Sequence, residues 1–116
     1  MIWTEVNNPE RSCFMETDAG NGIHYEIIYA QQYVDEKPKG FVLYRIHEDL
    51  HQGCIGEIDG KIGLVHGLGM ACAVGFHPAV IYQTIDELKI LAEKDLFSGA
   101  QKNYIGWRKT DVKGLY

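Results

Sequence analysis

The feature that most constrains the fold is an Asp-Gly pair at positions 59 and 60, which separates two runs rich in branched aliphatic residues. The first run is Ile55–Ile58 and the second is Lys61–Val65. A two-residue hairpin turn of type I′ requires positive φ at both central positions, and an Asp-Gly pair meets that requirement. The sequence therefore predicts an antiparallel β-hairpin whose turn consists of Asp59 and Gly60.

Further strands are predicted upstream of this hairpin. In the run Ile23–Val34, large apolar and aromatic residues recur at every second position, so a strand would present them on one face. These residues are Ile23, Tyr25, Ile27, Tyr29 and Tyr33. Residues 35–40 have the composition of a loop, and Phe41–Ile46 is rich in β-branched and aromatic residues, which predicts the returning antiparallel strand. Shorter strands are expected at Trp3–Val6 and Cys13–Thr17, with a turn at Asp18–Gly22 before the long strand.

One helix is predicted in the C-terminal half of the chain. Thr84 and Glu87 have the spacing of a capping box, in which the Thr hydroxyl accepts the amide of Glu87 and the Glu side chain returns to the amide of Thr84. An apolar stripe at helical spacing follows, and Gly99 is a suitable stop. The stripe consists of Ile85, Leu88, Leu91, Ala92 and Leu96. Ala79–Tyr82 is expected to be a last strand. The predicted fold class is α+β, an antiparallel β-meander of about five to seven short strands with this helix packed on one face.

Composition sets the class of protein. A chain of 116 residues that is 46% hydrophobic and 23% charged is expected to form a single soluble domain over residues 1–116. The three cysteines, Cys13, Cys54 and Cys72, are odd in number and widely spaced, which favours buried reduced thiols in a cytoplasmic protein over a disulfide framework. The N-terminus lacks the features of a signal peptide, and no run approaches the ~20 apolar residues of a membrane span. We therefore expect no membrane association.

Seven glycines fall between residues 53 and 75. Such a density weakens strands and indicates bulges, or backbone packed closely against a neighbour. Gly67 and Gly69 invite comparison with phosphate-binding loops, but neither GxxxxGK[ST] nor a complete GxGxxG is present. A glycine-rich bulge or tight packing is the favoured interpretation of the glycines.

Charge is unevenly distributed along the chain. Residues 102–116 hold four basic groups against one acidic group, whereas the whole chain has a net charge of −5. Aromatic and basic residues are interleaved in the stretch Lys102–Lys109, as they are on single-strand-binding surfaces, although a closing strand whose Tyr104 and Trp107 pack into the core is the favoured interpretation. Because neutralisation of phosphates dominates nucleic-acid affinity, the negative chain is not expected to bind nucleic acid directly. The basic tail is expected to lie against the acidic body, or else to meet a partner of opposite charge.

The segment His47-Glu48-Asp49-Leu50-His51 matches HExxH. On a helix, the two histidines could bind one zinc ion with Glu48 as general base, and Glu57 falls where some zinc proteases keep a third ligand. The preceding run is β-rich, however, which predicts an extended backbone and imidazoles that diverge. A zinc hydrolase is therefore the alternative hypothesis, and under the leading one we expect neither catalytic residues nor a cofactor.

The layout resembles that of short phage and prophage proteins, which combine a Trp near the start, a meander of aromatic-rich strands and a closing helix of the form TxxELKxLAE. Here those elements are Trp3, Ile23–Ile46 and Thr84–Glu93, about half of the chain. The resemblance implies an inhibitor of the anti-CRISPR or another anti-defence type, which binds a host macromolecular complex. The glycine-rich residues 53–75 depart from that pattern.

The leading hypothesis is thus a non-enzymatic protein-binding module whose partner is a protein or a nucleoprotein complex. Tyr and Trp are favoured at interfaces because they bury a large area at small entropic cost. The residues expected to contact the partner are Tyr33, Tyr82, Tyr104, Trp107, Arg108 and Lys109. A homo-oligomer with a structural role is a third interpretation.

Overall fold

The computed structural model describes residues 1–6, 13–29, 40–47, 50–67 and 78–99. They form a six-stranded antiparallel sheet in which the strands follow one another in chain order, with one α-helix packed against it. The strands are β1 (Thr4–Glu5), β2 (Cys13–Gly20), β3 (Ile23–Tyr29), β4 (Phe41–His47), β5 (Leu50–Ile58) and β6 (Lys61–Gly67). A 3-10 turn (Pro78–Val80) precedes the helix α1 (Ile85–Phe97). The predicted α+β meander with one helix is therefore confirmed.

The Asp-Gly hairpin has the expected geometry. Asp59 and Gly60 have φ values of 53° and 77°, and Ile58 pairs with Lys61 on either side of the turn. Strand β5 is longer than predicted, since it begins at Leu50 rather than Ile55. The reason is a second tight reversal, in which Leu50 pairs with the last residue of β4 and gives the start of β5 a hydrogen-bonding partner.

The reversal between β2 and β3 is also tighter than predicted. The turn consists of Asn21 and Gly22, both with positive φ, and β2 continues to Gly20. The Asp18 carboxylate accepts a hydrogen bond of 2.9 Å from the amide of Gly20, so this residue supports the end of the strand. The predicted extension of β3 beyond Tyr29 to Val34 lies outside the described residues.

Both faces of the sheet are buried. The face under α1 contributes Tyr25, Ile27, Leu43, Ile55 and Leu64 to a core that includes Leu88, Leu91 and Ala92 of the helix. The opposite face contributes Ile28, Val42, Tyr44, Cys54 and Val65, which form a second core together with Cys13 and Val80. The apolar face predicted for β3 is thus confirmed at Ile23, Tyr25 and Ile27, and Ile28 is buried on the reverse side as well.

The predicted last strand, Ala79–Tyr82, is wrong. Its first half lies in the 3-10 turn, and only Tyr82 pairs with the sheet, through two backbone hydrogen bonds to Phe41 of 2.8 and 2.9 Å. The pairing of β4 with β5 extends from Leu43 to His47. At Phe41 the edge of β4 is therefore available, and Tyr82 occupies it for one residue before the chain enters α1.

Helix α1 begins and ends close to the predicted positions. Thr84 is the N-cap, and its hydroxyl accepts the amide of Glu87 at 3.3 Å. The same hydroxyl donates a hydrogen bond to Glu87 Oε1 at 2.8 Å. The Glu87 carboxylate thus accepts from the Thr84 side chain, whereas the capping box predicted that it would accept from the Thr84 amide. Gly99 follows the helix with φ of 72°, which favours glycine. None of the described helices is long and apolar enough to cross a membrane.

Candidate functional site

A shallow pocket lies where α1 meets the end of β5 and the residue that enters the helix. It has a volume of about 180 Å³ and is lined by Glu57, Tyr82, Glu87, Ile90, Leu91 and Lys94. Typical small-molecule sites enclose roughly 300–1,000 Å³, so this pocket is small for a substrate or cofactor. It suits a single side chain from another macromolecule.

The outer face of α1 carries two large exposed apolar side chains, of which Ile90 also lines this pocket. Ile90 is 54% exposed and Phe97 is 79% exposed. They are seven residues apart, which places them on the same side of a helix, with Lys94 between them. We call the set Glu57, Tyr82, Glu87, Ile90, Lys94 and Phe97 the helix surface.

The polar groups of the helix surface are exposed, apart from the partly buried phenol. Lys94 Nζ lies 3.7 Å from Glu57 Oε2, with both side chains substantially exposed. Burial raises the pKa of Tyr82 above its ordinary value of 10.0; a hydrogen bond from the Glu57 backbone opposes the rise, and the charges of Glu57 and Glu87 add to it. The phenol therefore stays protonated at neutral pH and can donate a hydrogen bond at the edge of the pocket.

A buried polar triad holds α1 on the sheet beneath this surface. Arg45 Nη1 donates to both carboxylate oxygens of Asp95, at 2.8 and 2.9 Å, and the Tyr25 hydroxyl donates to Asp95 Oδ2. Tyr25 and Arg45 are opposite each other on β3 and β4, so a single carboxylate reaches both. Burial, and next the hydrogen bond to Asp95, raise the pKa of Tyr25 well above its ordinary value.

Sequence reasoning missed this triad, although a signal was present. Asp95 continues the apolar stripe formed by Leu88, Leu91 and Ala92 at helical spacing, so a charge was to be expected in the core. Arg45 is two residues beyond Leu43 in β4, so the two side chains lie on the same face of the sheet. Because Leu43 packs under the helix, a second charge was to be expected on that face. A buried charge usually has a partner of opposite sign, and these two residues match.

Of the residues predicted to contact a partner, Tyr82 lies at the candidate site, where it lines the pocket. The others lie outside the described residues, so they remain predictions. They are Tyr33, Tyr104, Trp107, Arg108 and Lys109. Ile90, Lys94 and Phe97 were not among the predicted contacts, although the predicted apolar stripe leaves them off the buried face of the helix.

The HExxH segment does not lie on a helix. His47 ends β4, and Leu50 and His51 begin β5, where Leu50 pairs with His47, so the predicted continuation of the strand through the segment is wrong. Glu57 is six residues beyond His51 in the same strand, about 20 Å at ~3.3 Å per residue. Two zinc ligands lie within about 4 Å of each other, so β5 does not bring His51 and Glu57 to one ion. Glu48 lies outside the described residues.

The cysteines agree with the expected buried thiols where they are described. Cys13 and Cys54 are buried and do not form disulfides, and Cys72 lies outside the described residues. Among the described side chains, one group of donors is close enough to hold a metal ion, namely Cys13, Glu16 and Glu26 on β2 and β3. This group is far in sequence from HExxH and was not predicted.

Comparison of the chain with protein-family models, with curated proteins and with solved structures gives no match.

Proposed function

We propose that the chain is a protein-binding module and that the helix surface is its docking site. The observation that carries the proposal is the pairing of an exposed apolar stripe, Ile90 and Phe97, with a pocket sized for a side chain. Burial of one such side chain against a partner contributes roughly 1.5–3 kcal/mol. Exposed patches of this kind next to a concave site are typical of macromolecular interfaces.

Charge around the helix surface favours a partner with a basic rim. Acidic side chains are exposed on or next to this surface, at Glu57, Asp86, Glu87 and Glu93, whereas Lys94 is the exposed cation between them. Complementary charge accelerates encounter and suppresses wrong partners. We therefore expect the partner to insert an apolar side chain into the pocket and to surround it with lysine or arginine.

We further propose a specific role for the module, namely that it inhibits a host complex of the kind targeted by phage or mobile-element proteins. It is supported by the resemblance in Trp3, the aromatic meander and the closing helix of Thr84–Glu93. A cytoplasmic location belongs to the same proposal. An inhibitor of this type needs no catalytic centre, because occupation of a partner's working surface is sufficient.

The test is affinity capture from the source cell with tagged full-length chain, followed by reconstitution with the purified partner. Ile90→Asp places a charge in the apolar stripe without changing the core, since the side chain is already exposed. We expect this variant to weaken binding at least ~30-fold, which corresponds to about 2 kcal/mol. Phe97→Asp should have a similar effect.

Ile2→Asp is the matched control, because Ile2 is an isoleucine that is 87% exposed and lies outside the helix surface. It should bind as the unmodified chain does. Equal binding by Ile90→Asp, Phe97→Asp and Ile2→Asp would overturn the docking site. If light scattering instead shows a dimer that Ile90→Asp dissociates, the surface joins two copies of this chain and the inhibitor proposal fails.

A further inference from the structure

The face of the sheet opposite α1 carries a cluster of four potential metal ligands on β2 and β3. Glu16 and Glu26 are directly opposite each other in the two strands. His24 Nε2 lies 3.6 Å from Glu16 Oε2 and 3.8 Å from Glu26 Oε1. Cys13 joins the two glutamates, because its Sγ and one oxygen of each glutamate all lie within 4.8 Å of one another, and His24 adjoins this three-donor group through its contacts with both glutamates.

A β-bulge brings the thiol to this cluster. The pairing of β2 with β3 shifts register between Cys13 and Met15, so that Cys13 pairs with Ile28 and Met15 pairs with the adjacent residue, Ile27. As a result Cys13 packs in the core on the reverse face, whereas Met15 packs under α1. Without the extra residue, the alternation of a strand would put Cys13 on the face of Met15 and away from Glu16.

The electrostatics of the cluster favour a bound cation. Carboxylates that face each other across two strands repel, and burial increases the cost of the charge. Glu26 is only 8% exposed and Glu16 is half-buried. An imidazolium at His24 would offset one charge. A divalent cation would offset both carboxylates and engage the thiolate as well.

We propose that Cys13, Glu16, His24 and Glu26 form a structural zinc site that clamps β2 to β3. Zinc binds thiolate, imidazole and carboxylate with bonds of about 2.0–2.3 Å, usually in a closed tetrahedral set of four protein ligands. The donor types are those of zinc, since thiolate disfavours magnesium and calcium. Because His24 lies outside the group of donors within 4.8 Å, zinc binding requires the one-third-exposed side chains of Glu16 and His24 to rotate toward the ion.

The site is independent of the helix surface, which lies across the sheet. Its test begins with full-length chain freed of metal by a chelator and then titrated with Co²⁺ and with Zn²⁺. We expect one ion per chain and, with cobalt, a thiolate-to-metal charge-transfer band in the near ultraviolet. Cys13→Ser should abolish that band, whereas Cys54→Ser, which changes the other described cysteine, should retain it.

Two further variants keep the test decisive if Cys13→Ser does not fold. Glu16→Gln and His24→Gln change half-buried side chains, and each should weaken zinc binding more than about tenfold in competition with a chromophoric chelator. Glu93→Gln, an exposed carboxylate on α1, should leave it unchanged. Equal zinc affinity in Glu16→Gln, His24→Gln and Glu93→Gln would overturn the proposal. So would a zinc ion that His24→Gln still binds but His47→Ala does not.

Discussion

Arg45 and Asp95 are fifty residues apart in the chain, yet their side chains form a completely buried ion pair between the sheet and the helix. The Tyr25 hydroxyl shares the same carboxylate. Apolar contacts hold a helix on a sheet without fixing its rotation or its position along the strands. A charge pair has one favourable arrangement, so this triad positions α1, and with it the helix surface.

The first prediction concerns the stability that depends on this pair. Asp95→Asn should lower the free energy of unfolding by about 3–5 kcal/mol, because the guanidinium of Arg45 would stay buried without a counter-charge. Urea unfolding followed by circular dichroism measures the loss. Lys94→Ala, at the next position along α1, breaks only the exposed contact with Glu57 and should cost less than ~1 kcal/mol. Equal losses in the two variants would contradict the assigned role of Asp95.

The second prediction follows from the raised pKa of Tyr25. Above about pH 10 the unfolded chain loses the phenolic proton, while the folded chain keeps it. Unfolding then releases a proton, so the free energy of unfolding is unaffected below that pH and falls by up to ~1.4 kcal/mol per pH unit above it. Urea unfolding at a series of alkaline pH values measures this slope.

Tyr25→Phe is the control for the alkaline slope. It removes the titrating phenol, so the free energy of unfolding should fall less steeply with pH. Part of the decrease that remains should come from Tyr82, whose pKa is also raised. The variant should also be less stable at neutral pH by roughly 1–3 kcal/mol, since a buried carboxylate loses a donor. An unchanged slope in this variant would show that other groups cause the alkaline loss.

The third prediction concerns the close packing of the glycine-rich β5. A Cβ at Gly56 would lie 2.9 Å from Val65 Cγ2 and 3.2 Å from both the Ala79 carbonyl oxygen and Val80 Cγ1. Gly56→Ala should therefore cost about 1–3 kcal/mol by overpacking. Val65→Ala removes the closest atom that the new Cβ would meet. In a double-mutant cycle, the free energy of unfolding lost by the double variant should therefore be smaller than the sum of the two single losses, by at least ~0.5 kcal/mol. Strict additivity would contradict a steric clash with Val65.

Much of the fold could be predicted because its signals are local. The positive-φ turn at Asp59 and Gly60, the strand at Phe41–Ile46 and the cap at Thr84 each depend on a few adjacent residues. The glycine density predicted bulges or close packing, and the structure has a register shift between Cys54 and Ile55 and a close approach at Gly56.

The candidate sites were harder to predict because they depend on register between distant strands. Glu16 and Glu26 become neighbours only once β2 and β3 pair with a specific bulge, and nothing in the local sequence fixes that bulge. The reversal after His47 was hard to predict for the same reason. The local sequence is compatible with a metal-binding motif or with a continuing strand, and the reversal is evident only from the pairing of His47 with Leu50. The predicted apolar stripe already left Ile90 and Phe97 off the buried side of α1, but the pocket beside Ile90 depends on the positions of Glu57 and Tyr82 in the folded chain.

The last prediction concerns the start of α1. The Thr84 hydroxyl both accepts the amide of Glu87 and donates to its carboxylate, so Thr84→Ala removes two hydrogen bonds. We expect a loss of about 1 kcal/mol in the free energy of unfolding, with fraying of the first turn seen by amide hydrogen exchange. Thr84→Ser keeps the hydroxyl and should lose less than ~0.5 kcal/mol, since serine caps helices at least as well. If Thr84→Ala and Thr84→Ser are equally stable, the cap contributes nothing and the position of α1 depends on the Arg45–Asp95 pair and the apolar core.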